Sequence, residues 1–153
     1  PYQLRFVRQP EPLGSADAVA RAAARPPYLV VAADTLFAEG DLARVAGAAG
    51  AVDGALAVQP TPGAGTVRVD DGRILRVVDR DGSTGWTGVP LWPVGEAVHR
   101  RLDPLPGRAP HELADAVQLA VDSGAHVSAI QVGGIRGITD PVDLVRENHP
   151  DLR

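Results

Sequence analysis

Tyr28-Leu29-Val30-Val31-Ala32-Ala33-Asp34-Thr35-Leu36-Phe37 is the stretch on which the fold turns. Its first six residues are apolar without a polar interruption, and the run ends on an aspartate. Such a run predicts a strand buried on both faces, the habit of sheets covered by helices. Upstream, Ala16 to Ala24 is alanine-rich with Val19 inside it, a helical pattern that Pro26-Pro27 stops. Downstream, a second helix is predicted from Asp41 to Ala49, closed by Gly50, with Ala55-Leu56-Ala57-Val58 as the next strand.

Farther along, the pattern changes and then resumes. Thr66-Val67-Arg68-Val69 and Arg73-Ile74-Leu75-Arg76-Val77-Val78 flank Asp71-Gly72. An Asp-Gly pair between β-prone runs predicts a hairpin. Val89-Pro90-Leu91-Trp92 reads as strand, Gly95 to Leu102 as helix, and Pro110 to Ser123 as a helix with Gly124 just past its end. Val127 to Val132 is a further strand, and Pro141 to Glu147 a last short helix. Leu4-Arg5-Phe6-Val7 is a strand candidate at the beginning. Alternating strands and helices with one antiparallel insert predict an α/β fold of open-sheet type.

Composition narrows the chemistry. The 153 residues suit one compact domain, residues 1–153, and 44% hydrophobic with 22% charged residues is ordinary for a globular chain. With no cysteine there are no disulfides, thiolate metal sites or cysteine nucleophiles. All 15 basic residues are arginine, which removes lysine Schiff bases and the Walker lysine. Net charge −4 argues against a nucleic-acid partner, and no apolar run approaches the ~20 residues of a membrane span. A basic, apolar-cored leader is also missing from the sequence. The four histidines, His99, His111, His126 and His149, lack metal-ligand spacing and read as structural.

Two features carry chemistry. Gln9-Pro10-Glu11-Pro12-Leu13-Gly14-Ser15-Ala16-Asp17-Ala18-Val19 runs into a helix start, and Asp34 stands at the carboxyl end of a strand. Ligands of open α/β sheets sit beyond those carboxyl ends. A glycine at a helix start lets a ligand approach the backbone, where free N–H groups favour anions. The Gln9 amide can donate and accept at once, as reading a base edge requires. A strand-end aspartate facing phosphates is a natural Mg²⁺ ligand. Against this stand plainer readings: Gly14-Ser15 as a turn and helix cap, Asp34 as a loop cap.

Those residues, in that order, resemble the sugar-phosphate nucleotidyltransferases, which include glucose-1-phosphate thymidylyltransferases and UTP–glucose-1-phosphate uridylyltransferases. Gln9-x-x-Pro12-Leu13-Gly14-Ser15-Ala16-Asp17-Ala18-Val19 is similar to the family segment that holds the nucleobase. Val30 to Phe37 is similar to its strand ending in Gly-Asp, with Ala33 in place of the glycine and Asp34 on the metal aspartate. Arg73 to Arg80 resembles the stretch ending in Glu-Lys-Pro, placing Asp79 and Arg80 at the Glu-Lys pair that binds the sugar phosphate. Thr87-Gly88 and Glu112-Leu113-Ala114-Asp115-Ala116 resemble the segments that approach the sugar and receive its hydroxyls. Asp140-Pro141-Val142-Asp143-Leu144 is similar to the family's Thr-Pro-Glu-Asp-Leu ending.

The resemblance implies an open, mostly parallel, Rossmann-like sheet flanked by helices, with the hairpin as an antiparallel insert. It implies a cytoplasmic enzyme that transfers a nucleotidyl group from dTTP or UTP to a sugar 1-phosphate and releases pyrophosphate. Asp34 and Arg80 would be catalytic, and Gln9, Leu13, Gly14, Ser15 and Asp34 would bind the nucleotide. Gly88, Glu112 and Arg80 would bind the sugar phosphate, and Mg²⁺ would be the cofactor. Gly137 aligns with the family's second metal aspartate, leaving Asp140 as the nearest carboxylate to join Asp34 on the metal. The family's opening strand and Gly-x-Gly-Thr-Arg-Leu loop are not in the sequence, so an amino-terminally truncated piece is expected. Cytidylyl or guanylyl transfer, or a non-catalytic sugar-nucleotide-binding relative, are the alternatives. A homo-oligomer is compatible with the resemblance.

Overall fold

The computed structural model describes residues 3–48, 53–78 and 84–148. Gly50, Asp79, Arg80 and His149 lie outside the described residues. In chain order the elements are α1 (Ser15–Ala22), β1 (Tyr28–Val31), β2 (Thr35–Leu36), α2 (Asp41–Ala48), β3 (Gly54–Pro60), β4 (Arg68–Asp70) and β5 (Arg73–Arg76). There follow β6 (Trp86–Gly88), β7 (Leu91–Val94), α3 (Glu96–His99) with a 3₁₀ turn Arg100–Leu102, α4 (Leu113–Asp122), β8 (Val127–Gln131), β9 (Arg136–Gly137) and α5 (Pro141–Asn148).

The α/β class holds, with a seven-stranded sheet flanked by helices and a two-stranded ribbon β2·β9 beside it. The main sheet runs β1-β7-β3-β8-β5-β4, with β6 also on β3. Strand direction differs from the sequence expectation: among the described residues only β3 and β8 pair in parallel, from Gly54↔Val127 to Val58↔Gln131. β6 and β7 both run antiparallel to β3, with Gly88 opposite Val58 and Val94 opposite Gly54. They are one returning segment whose ladder slips at a proline, which has no N–H to give. β7 then wedges between β3 and β1, pairing Tyr28↔Val94 through Val31↔Leu91.

Burial follows the alternation of strand side chains. On one face Leu56, Val58, Ile74, Val94 and Val127 pack with Ala16 of α1, Val98 of α3 and Leu113, Ala116, Val117 and Ala120 of α4. On the other, Ala57, Val89, Leu91 and Val132 pack with Val45 of α2. The doubly covered strand is therefore β3, buried without a break from Gly54 to Val58. β1, for which the sequence predicts that role, is an edge strand, half-buried, with Val31 43% exposed. An apolar run alone does not say whether both strand edges will find partners.

The hairpin forms as expected: Asp71 and Gly72 both take positive φ, 43° and 71°, and β4 meets β5 through Asp70↔Arg73. Two positive φ values are the signature of a type I′ turn, whose twist matches that of the strands. Leu4–Val7 forms no strand; Leu4 and Phe6 are 82% and 92% exposed. Its alternation is present, yet no described strand pairs with it, and a strand exists only by pairing. Among the described residues no helix is long and apolar enough to cross a membrane.

Candidate functional site

Strand direction defines the edge of the sheet at which Asp34 stands. Because β7 is antiparallel to both β1 and β3, and β8 is parallel to β3, strands β1, β3 and β8 all point the same way. Their carboxyl ends form one rim. α1 stands beside β1 across an open pocket of about 310 Å³ lined by Ala18, Val19, Ala22, Tyr28, Leu29 and Val30. A short connection joins the end of α1 to the start of β1, so the amino terminus of α1 points toward that rim. The tight turn from α4 into β8 gives α4 the same orientation.

Asp34 stands just past β1, exposed, with no cationic partner among the described residues. Its carbonyl accepts the Ile138 N–H at 2.7 Å, beside the Thr35↔Gly137 pair of the β2·β9 ribbon. The chain therefore brings Gly137 next to Asp34 across roughly a hundred residues of sequence. Asp140 is otherwise engaged: its Oδ1 accepts the Val142 and Asp143 N–H groups at 2.7 and 2.9 Å, capping α5. Asp143 completes the cap by accepting the Thr139 N–H and hydroxyl, contacts that hold its carboxyl below the usual range. An open cleft of about 610 Å³ lies beside the ribbon, lined by Arg136, Gly137, Asp143, Arg146 and Glu147. Arg136 is paired within it to Glu147 at 2.7 Å.

Whether these groups fit Mg²⁺ is decided by donor count. Among the described residues no three His, Asp or Glu side chains could hold a metal ion. Asp34 is a lone exposed carboxylate, and one carboxylate is what Mg²⁺ takes from a protein when substrate phosphates supply the other oxygens. A single carboxylate is the fewest with which a protein holds Mg²⁺ beside substrate phosphates.

The Gln9–Ser15 loop is pinned from both sides. Gln9 Nε2 donates to the Gly14 carbonyl at 3.0 Å and to Asp17 Oδ2 at 2.7 Å. Both amide hydrogens are thereby used, and Oε1 remains to accept. Asp17 is buried and also takes the Arg21 guanidinium at 2.7 Å. The Arg21 and Gln9 hydrogen bonds hold its carboxyl below the ordinary 3.8.

Gly14 has φ +100°, and a Cβ there would lie 2.3 Å from the His111 carbonyl oxygen and 2.5 Å from its nitrogen. Backbone meets backbone at this point: His111 N–H donates to Leu13 O at 2.7 Å, and Ala16 N–H to His111 O at 2.8 Å. Ser15 turns toward the same segment. Its hydroxyl donates to Glu112 Oε2 at 2.7 Å and accepts the Leu113 N–H at 2.8 Å. Glu112 is exposed at the start of α4. Gly88 lies opposite Val58, near the rim, where a Cβ would come 3.3 Å from a Leu56 methyl.

Two contributors escape a sequence reading. Asp41, 5% exposed, accepts the Gly133 N–H at 2.8 Å and pairs with Arg44, which also reaches the Gln131 carbonyl. It anchors the turn leaving β8 to α2, although its only signal in the sequence is its place at a helix start. His111 contributes backbone rather than its ring, and no residue pattern announces that.

No family model matches the sequence, and no curated protein matches it. Solved structures do match. The UDP-glucose pyrophosphorylase from Acinetobacter baumannii superposes with a TM-score of 0.73 at 20% identity, over 95% of this chain and 61% of that one. The UTP-bound UGPase from the same organism gives 0.71 at 18% identity, over 92% and 56%. The inositol-1-phosphate CTP transferase from T. maritima gives 0.69 at 18% identity, over 90% and 60%. The chain thus spans about 60% of the length of structures it matches. At these identities the likeness is one of fold: the chain has the architecture found in sugar-phosphate nucleotidyltransferases.

Proposed function

We propose that this chain carries the nucleotide- and sugar-binding rim of a sugar-1-phosphate nucleotidyltransferase using UTP or dTTP. A phosphate oxygen of the sugar 1-phosphate attacks the α-phosphorus, a P–O bond forms, and the bond to pyrophosphate breaks in line. The chemistry asks mostly for positioning and charge neutralisation. Gln9 Oε1 would accept the imide N–H of a uracil or thymine ring, since its amide hydrogens are taken by Gly14 and Asp17. Leu13 and Gly14 would present backbone to the base. Glu112, with Oε1 clear of Ser15, would take sugar hydroxyls, with Gly88 leaving room beside the ring. Arg80, outside the described residues, would hold the sugar's phosphate, as a guanidinium does well. Asp34 would hold Mg²⁺, which when bound offsets charge building on the α-phosphate.

What supports this reading most is that Asp34 follows the carboxyl end of β1, while Ser15 joins the Gln9–Gly14 loop to Glu112 at the start of α4. In a protein containing this chain, Asp34→Ala should lower pyrophosphate release from UTP and glucose 1-phosphate by about 100-fold or more. Because Asp34 is exposed, its melting curve should stay unchanged. Undiminished turnover would remove Asp34 from the mechanism, and parallel assays with dTTP, CTP and GTP would fix the base. Gly137 beside Asp34 favours a second reading, a sugar-nucleotide-binding relative without turnover. UDP-glucose binding with no pyrophosphate release from any triphosphate would select it.

A further inference from the structure

Ser15 lies in the loop assigned to the nucleotide, yet its one O–H donor and one of its two lone pairs are engaged by the start of α4. It donates to Glu112 Oε2 at 2.7 Å and accepts from the Leu113 N–H at 2.8 Å. With the two backbone bonds between His111 and the 13–16 segment, four hydrogen bonds join the start of α1 to the start of α4. Glu112, though at the α4 cap position, makes no cap bond of its own; Ser15 supplies it. A carboxylate held by a charge-assisted bond keeps one rotamer, and its second oxygen keeps one direction.

We infer that Ser15 is a positioning residue for the sugar, not a contact of the base: it aims Glu112 Oε1 at the hydroxyls of a hexose 1-phosphate. The inference rests on the proposed role of Glu112. It assigns the loop a division of labour, with Gln9 and Gly14 facing the nucleotide and Ser15 serving the acceptor. It also makes sugar affinity depend on a residue that touches no sugar.

The test is calorimetric titration of a protein containing this chain with glucose 1-phosphate and, separately, with UTP and Mg²⁺. Ser15→Ala should weaken glucose 1-phosphate binding about tenfold, the value of one hydrogen bond to a charged group, while UTP binding stays within about twofold. Ser15→Asp separates aim from fold: it can still accept the Leu113 N–H as a good cap, but it repels Glu112 instead of donating to it. It should stay folded by circular dichroism and lose sugar affinity as Ser15→Ala does, whereas Ser15→Thr should restore it. Weakened sugar binding in Glu112→Gln with none in Ser15→Asp overturns the inference and leaves the proposed function standing. A loss of UTP affinity equal to that of sugar overturns it too. Unchanged sugar binding in Glu112→Gln, or no binding by the wild-type chain, refutes the role of Glu112 and the inference with it.

Discussion

Replacing Gly14 by alanine should unfold the protein at a markedly lower temperature. The new Cβ would sit 2.3 Å from the His111 oxygen and 2.5 Å from its nitrogen, so backbone must separate from backbone. Holding an L-residue at φ +100° costs about 1–2 kcal/mol. Separation also breaks the bonds from His111 N–H to Leu13 O and from Ala16 N–H to His111 O, at about 1 kcal/mol each. The total is about 3–4 kcal/mol, and at about 2–4 °C per kcal/mol for a chain of this size Tm should fall by about 6–16 °C. Gly40→Ala is the control. Gly40 has φ +82° with nothing within 4 Å of its absent Cβ, so it pays only the backbone cost, about 2–8 °C. Thermal melts of both variants by circular dichroism make the comparison. Equal falls would refute the argument, because they would mean that contact with His111 costs nothing.

Two further outcomes follow from local structure. Asp17 is held below 3.8 by Arg21 and Gln9, so it stabilises the fold above that pH, and the contribution is lost as pH falls through its lowered folded value. Asp17→Asn should therefore flatten the loss of stability below about pH 4 in denaturant titrations, and an acid limb as steep as wild type would contradict it. Ala23 ends α1 at φ 47°, left-handed for a residue with a Cβ. Ala23→Gly should raise Tm by about 2–4 °C through relief of about 1 kcal/mol, and a lower Tm would show that the αL cap is not strained.

What could be read from residues alone was whatever has a local cause. Asp71-Gly72 demands its turn and Gly124 at φ +89° closes α4 as its position suggests, whereas α1 stops at a left-handed Ala23, short of Pro26-Pro27. β2 and β9 were illegible, since two-residue strands carry no period and their partners are far apart in sequence. The α4 start shows another limit: Pro110 marks a helix opening, yet regular helix begins at Leu113, because His111 is drawn into the pairing with Leu13 and Ala16. Gly14 marks a close approach to the backbone in the sequence, although the neighbour the structure provides is a distant stretch of its own backbone. The register slip between β6 and β7 at Val89-Pro90 is one that only tertiary pairing reveals.

The parallel ladder between β3 and β8 has a consequence for how the molecule comes into being. Gly54–Val58 meets Val127–Gln131 only after the hairpin, α3 and α4 have intervened. Nearby pieces such as the Asp71-Gly72 hairpin can close in microseconds, whereas joining such remote segments must first overcome the chain entropy of everything between them. On a ribosome, the strand with the longest buried run, β3, therefore waits for its parallel neighbour β8 until most of the polypeptide has been made. Nascent Leu56 and Ala57 spend that interval unsheltered, the stage at which a chaperone has the most to protect.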